Sequence, residues 1–261
     1  METPLISVII PSYNKIDFIS KTLNSILRQN YPSYEIIVQD GGSTDGTFEV
    51  IESYAKKYPN IFKIESKNDN GQTNAINIGF SKAKGEIITY INADDVFTSK
   101  AFIEVVKAYD ESPNSLWFVG RGKVIDKKGK EIAKATTLYK NLLLSLSSRF
   151  FLLVTNYIIQ PSVFLTREAF EKYGPFTGLP NGVVMEYNLW LKLSKVSMPK
   201  VIKKTLSAFR ITEGNISSIS YKNTLKEDES IVKKFTKNKI ILLLHKFHNV
   251  LRVATIKAIN R

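Results

Sequence analysis

The chain has no cysteine, which removes a disulfide framework and any thiolate metal site and is compatible with a reducing compartment. Its two histidines, His245 and His248, are too few for a histidine-based zinc centre and read as structural. Any metal would have to be held by oxygen. No apolar stretch approaches the roughly 18 residues that a membrane-spanning helix needs. The apolar run in "METPLISVIIPSYN" is stopped by Pro11 and is too short for the hydrophobic part of a secretion signal, so it reads as a first strand. Acidic residues are also in deficit: 24 Asp and Glu stand against 37 Lys and Arg, a net charge of +13. That deficit is local. From Lys195 to Arg261 there are 15 Lys and Arg against 4 Asp and Glu, or +11, which leaves +2 for the first 194 residues. The expectation is a cytoplasmic protein with a basic tail.

What is present is enough for a core, since 43% of the 261 residues are hydrophobic. The first hundred residues alternate strand and helix signals. "LISVIIP", "YEIIVQD", "IFKIES" and "EIITYIN" read as short apolar strands. The intervening segments read as helices, the first spaced on Ile16, Ile19, Leu23 and Ile26, then from about Asp45 to Lys57, from about Gln72 to Ala83, and after Thr98. Such alternation predicts an α/β fold with a parallel sheet flanked by helices, whose ligands bind beyond the carboxyl ends of the strands. Further on, "DKKGK" reads as a hairpin turn, "NYIIQPSVFLTREAFEKYG" as strand then helix, and "MEYNLWLKLSKV" as a helix with Leu189, Leu193 and Val196 on one face. The tail from about Asp228 to Ile259 reads as a helix. Ile240, Leu244, Phe247, Leu251, Ala254 and Ala258 form its apolar stripe, and Lys239, Lys246 and Lys257 lie on another face.

Four polar segments then fall at one sheet edge: "PSYN", "QDGGSTDGT", "KNDNGQTNAIN" and "NADD". Each alone is a turn or a cap. Together they form a crevice in which Tyr13 offers a ring for base stacking, Asp40 an acceptor for a base N–H, and Asp94 with Asp95 a hard-cation site completed by diphosphate oxygens.

The stretch "SVIIPSYNKIDFISKTLNSILRQNYPSYEIIVQDGGSTDGT", followed by "NDNGQTNAINIGF" and "AKGEIITYINADD", resembles the family 2 glycosyltransferases, inverting enzymes of the GT-A fold. The likeness is dense from about Ser7 to Lys100 and thins toward "FRITEGNIS". It implies that Pro11, Tyr13, Asn14, Asp40, Ser43, Asn70, Gly71, Asn92 and Asp94 contact the nucleotide. It further implies that Gln72, Asn74 and Asn77 line the donor sugar, that Asp95 with Asp94 holds Mn2+ or Mg2+, and that Glu186 is the general base. The implied activity is metal-dependent transfer from a nucleotide-diphosphate sugar, UDP- or dTDP-linked, to a glycan, lipid-linked or protein-linked hydroxyl in cell-envelope polysaccharide assembly. Three departures stand out: Thr212 where the family often has histidine, and Asn74 and Asn188 where acids are frequent. The rival from another class is a catalytically silent nucleotide-sugar-binding assembly partner.

The resemblance implies one transferase domain over residues 1–220, with a nucleotide-sugar half over 1–115 and an acceptor half over 116–220. Residues 221–261 form the basic tail, which the likeness does not reach. That tail lacks interleaved aromatics for nucleic acid. It either lies on an anionic membrane surface as a peripheral anchor or packs on the domain with its lysines solvated, and the sequence leaves both open.

Overall fold

The structure is a computed structural model. It describes residues 3–177, 184–212 and 221–259, with the backbone alone for 221–224 and 254–259. In chain order, β1 (Ile6–Ser12), α1 (Ile19–Leu27), β2 (Tyr34–Asp40), α2 (Thr47–Lys57), β3 (Phe62–Ser66), α3 (Gln72–Lys82) and β4 (Ile87–Tyr90) form the alternating half. Then come β5 (Val96–Phe97), α4 (Ala101–Glu111), β6 (Trp117–Ile125), β7 (Glu131–Ile132), α5 (Lys134–Leu146) and α6 (Arg149–Val154). A 3₁₀ turn at Gln160–Ser162 leads into β8 (Val163–Thr166), α7 (Arg167–Tyr173), α8 (Met185–Leu193) and β9 (Lys200–Arg210). Two last helices, α9 (Tyr221–Phe235) and α10 (Lys239–Ile259), complete the described chain.

The strands form one sheet in the order β3-β2-β1-β4-β8-β6-β9-β5, with β7 paired to β6. The first four pair in parallel, and β4 then meets β8 antiparallel. Strand order reverses between β1 and β4, so the crossovers on either side leave in opposite directions and open a crevice at the carboxyl edge. Residues alternate across the sheet as the period of two requires. Val8, Ile10, Ile36, Val38 and Ile87 pack on one face under α1, α2 and α4, while Ile9, Ile37, Ile88 and Tyr90 pack on the other against α3, α7 and α8. The second core is rich in rings, with Trp117 stacked on Trp190 at 5.7 Å between centroids.

The differences from the sequence reading have local causes. Ile16 lies outside α1 and is exposed, because the backbone N–H groups of Lys15 and Ile16 are taken by Thr47 and Asp45. The strand expected in "NYIIQPSVFLT" shrinks to Val163–Thr166. α8 ends at Leu193, which leaves Val196 exposed while Leu189 and Leu193 are buried. The tail is two helices. Between them, Asn238 Oδ1 accepts the N–H groups of Ile240 (2.9 Å) and Ile241 (3.3 Å) and so caps α10. α9 contributes Ile231 and Val232 to the core beside α8. Among the described residues no helix is long and apolar enough to cross a membrane.

α3 lies close on β1 because Gly79 faces Ile9: a Cβ there would stand 2.4 Å from Ile9 Cγ2. Gly79→Ala is expected to lower stability by about 1–3 kcal/mol through overpacking. An unchanged thermal melt would show that the helix is free to move outward.

Candidate active site

Two loops at the carboxyl edge are fastened to each other. Asn14, whose positive φ of 50° turns the chain after β1, donates its N–H to Ser43 Oγ (2.9 Å) and accepts the Thr44 N–H on its side chain (2.9 Å). The next two N–H groups continue the zipper, Lys15 to Thr47 Oγ1 at 2.8 Å and Ile16 to Asp45 Oδ2 at 3.1 Å. Asp45 also receives the N–H and hydroxyl of Thr47 at the start of α2. Burial works against its charge, yet these bonds outweigh it and hold Asp45 below the usual carboxylate range.

Asp40, buried at the end of β2, is fully engaged within the protein. It accepts from Gly42 N (3.1 Å), Ser43 N (2.9 Å), Ser43 Oγ (2.6 Å) and Ser66 Oγ (2.7 Å). Its carboxylate shapes the Gly41–Ser43 turn. Pro11 is buried in β1, and Tyr13 stands at the lip with 60% of its surface exposed. Asn70 is exposed, and Gly71, at φ +95°, turns the chain into α3 while its N–H bonds Asp69 Oδ1 (2.8 Å).

The turn after β4 separates the two adjacent carboxylates. Asp94 Oδ2 pairs with Lys15 Nζ at 2.7 Å, across from the β1 loop. Asp95 points inward instead. Its Oδ1 accepts the Arg210 N–H (2.7 Å), and its Oδ2 accepts the Asn92 amide (3.2 Å), which in turn accepts from Gln72 Nε2 (2.6 Å). Burial and the Asp94 charge push the Asp95 pKa well up, against the Arg210 and Asn92 bonds that favour its charged form. The Arg210 side chain completes the clamp, with Nε to the Asp94 carbonyl (2.7 Å) and a terminal nitrogen to the Asp126 carbonyl (3.0 Å). Thr22 Oγ1 lies 2.9 Å from the Ala93 carbonyl and 2.7 Å from that of Asp95.

Glu186 sits in the first turn of α8, partly buried, and accepts a hydrogen bond from the Tyr90 hydroxyl at the end of β4. Its neighbour Met185 receives the Thr73 hydroxyl at 3.0 Å, so the first turns of α3 and α8 meet beside the Asn92–Asp95 turn. Burial pushes the Glu186 pKa up to about 7; the Tyr90 bond works against this and the Asp228 charge adds to it. A carboxylate poised near neutrality suits proton abstraction. Asn74 lies in the same first turn of α3, whereas Asn77 is one turn further along. Asn77 exchanges both hydrogen bonds with the Phe176 backbone (2.9 and 3.0 Å), which secures the segment leading to α8.

The structure thus sets Glu186 against Tyr90 at the end of β4, links Gln72 to Asn92 in the turn that follows and pairs Asp94 with Lys15, while Tyr13 stands exposed after β1. It turns Asp40, Asp95 and Asn77 to internal bonding. Sequence reasoning missed Lys15, Tyr90 and Arg210. Their only signals were a lysine directly after "PSYN", a tyrosine closing a strand, and the arginine of "FR". Thr212 closes the described part of the motif at 209–217, and residues 213–217 lie outside it.

A metal finds part of a donor set here. Among the described residues no three histidine, cysteine or acidic side chains cluster; of the two adjacent carboxylates Asp95 is taken up by Arg210 and Asn92, and Asp94 faces the Lys15 ammonium. One carboxylate with substrate phosphate oxygens and water is an ordinary Mg2+ arrangement.

Residues 7–174 match the sequence model of the family described as "Glycosyl transferase family 2". A Nostoc protein described as an uncharacterized glycosyltransferase is 33% identical over 132 residues, 51% of this chain and 41% of that protein. The poly(ribitol-phosphate) beta-glucosyltransferase of Bacillus spizizenii is 35% identical over 133 residues, 50% of this chain and 20% of that one. The chain therefore spans under half the length of these curated relatives. In three dimensions it is similar to the mannosyltransferase PcManGT of Pyrobaculum calidifontis, solved with GDP-Man and Mn2+. The TM-score is 0.71 at 19% identity, covering 99% of this chain and 74% of that one, a likeness of fold.

The raised pKa of Glu186 has a stability consequence. The folded state holds this proton more tightly than an unfolded chain with a pKa near 4.5, so the contribution is favourable at low pH and is lost as pH rises from about 4.5 through about 7. Glu186→Gln is expected to remove that decline and to be more stable than wild type by about 1–3 kcal/mol at pH 8. Parallel urea melts across that range would test it, and curves that keep a constant offset would refute the shift.

Proposed function

Because the chain belongs to glycosyl transferase family 2 and is a glycosyltransferase of the GT-A fold, we propose that it moves a sugar, with inversion, from a UDP- or dTDP-linked donor to an acceptor hydroxyl. The acceptor class is a glycan, a lipid-linked or a protein-linked hydroxyl of cell-envelope polysaccharide assembly, a context supported by the poly(ribitol-phosphate) relative. The observation that carries the reading is the contact of Glu186 on α8 with Tyr90, which closes β4 four residues before Asp94 pairs with Lys15 of the β1 loop.

Tyr13 stacks on the base over Pro11. Asp40 acts through the turn it holds, which presents the Ser43 and Asn14 region to the nucleotide. Asn70 and Gly71 bring the start of α3 to the diphosphate, and Gln72 and Asn74 face the sugar. Glu186 takes the acceptor proton while that oxygen bonds the anomeric carbon and the bond to the diphosphate breaks on the opposite side. Asp94 would hold Mn2+ or Mg2+, which when bound would neutralise charge on the departing diphosphate. Asp95, held by Arg210 and Asn92, positions Asp94 through the turn they share.

A thermal-shift panel of UDP, dTDP and GDP with and without Mn2+ tests the donor half. A nucleotide at about a hundredfold over its dissociation constant adds roughly 2.7 kcal/mol to the native state. One nucleotide is expected to stabilise wild type with metal and to lose that response in Asp94→Asn. An identical response in the variant would remove the metal assignment.

Glu186→Gln is expected to keep the nucleotide response and to lose about 10²–10⁴ in kcat. In wild type, kcat/KM should fall as pH drops below about 7. Full turnover in Glu186→Gln would end its role as base.

A further inference from the structure

The last helix turns His245 and Asn249 inward beside Ile241 and Leu242, which pack on the core. His245 and Asn249 are 2% and 5% exposed; the imidazole bonds the Val154 carbonyl at 3.0 Å and the Asn249 amide at 3.1 Å, and it stacks on Tyr187. Arg252 reaches Asp228 of α9 at 2.6 Å. These bonds fix the rotation of α10. Its apolar stripe is consequently turned away from the protein: Ile240, Leu243, Phe247, Val250 and Leu251 are exposed, Phe247 by 62%.

The stripe has a neighbour. Tyr139 of α5 stacks on His248 of α10, and α5 presents Leu138 (73% exposed), Leu142 and Leu146 at helical spacing, with Phe150 of α6 beyond. An outward apolar face spread over three helices is not explained by folding, since none of these side chains is needed by the core.

Charge identifies its occupant. Residues 133–166 carry three basic and no acidic side chains, and residues 230–261 carry eight basic and no acidic ones. Lys134, Lys233, Lys234, Lys237, Lys239 and Lys246 are exposed. A second copy docking by this face would set two lysine rims against each other with no acid to answer them. An anionic bilayer meets both features, taking the apolar side chains into the headgroup boundary and the lysines onto its phosphates. We infer that α5, α6 and α10 together form a docking surface for an anionic membrane. The inference rests on the transferase reading only for its use, which is to bring α8 and Glu186 to acceptors at the bilayer: Tyr187 bonds the Leu152 carbonyl of α6 at 2.6 Å and stacks on His245.

The test is flotation of the full chain with vesicles of phosphatidylglycerol and phosphatidylcholine, and with phosphatidylcholine alone. Wild type is expected to float with the anionic vesicles. Partition should drop about tenfold or more in Leu142→Asp with Phe247→Asp, two exposed positions, and roughly fivefold per lysine in Lys239→Glu with Lys246→Glu. Equal flotation of the variants, or none by wild type, overturns the inference. So does a dimer in sedimentation velocity that the Leu142 and Phe247 changes abolish, because the face then belongs to a second copy. The UDP, dTDP and GDP thermal shift is read on the same samples. A chain that floats without a nucleotide response leaves the surface standing and the donor reading fallen, and the reverse pattern does the opposite.

Discussion

A carboxylate with none of its surface exposed needs donors from the protein, and Asp95 obtains one from the backbone of Arg210, 115 residues later in the chain. The same arginine fastens the Asp94 carbonyl through its side chain and reaches the hairpin turn at Asp126. One residue at the end of β9 thereby sets the conformation of the turn after β4. Everything that converges there inherits its position from this clamp: Asn92 and Gln72 through their relay to Asp95, and Asp94 through its own carbonyl. Asp94 is free to pair across the crevice because Asp95 is not.

The parallel half and its crevice were legible because period-two strands and amphipathic helices carry direction in their spacing. Turns carry none. Nothing in "NADD" says which acid faces outward, since the answer comes from Arg210, and nothing in "DGG" says that Asp40 will be saturated by Gly42, Ser43 and Ser66. Nor does the spacing of α3 say that the Asn77 side chain will bond the Phe176 backbone. In the tail the apolar stripe was plain, but its bearing was not. The side of α10 that meets the protein is chosen by Asp228, Tyr187 and the Val154 carbonyl, none of which lies on that helix.

Glu186 shows how the same burial serves structure and chemistry in opposite directions. Packing α8 against Tyr90 and Trp117 gives the sheet its second core. It also strips water from a carboxylate, which costs the fold when that group is charged and raises its affinity for a proton. The Tyr90 hydroxyl, donating to the charged form, keeps that affinity from climbing further.

The zipper between the β1 and β2 loops, from Asn14 to Ile16 on one side and Ser43 to Thr47 on the other, carries a last consequence. Loops that close only over a ligand lose their conformational freedom on binding, and that loss is subtracted from affinity. Here the freedom of both lips is surrendered during folding. On the proposed reading, in which Pro11, Tyr13 and the Gly41–Ser43 turn receive the base, selectivity would come from the shape fixed by this zipper and not from a loop that closes over the ligand.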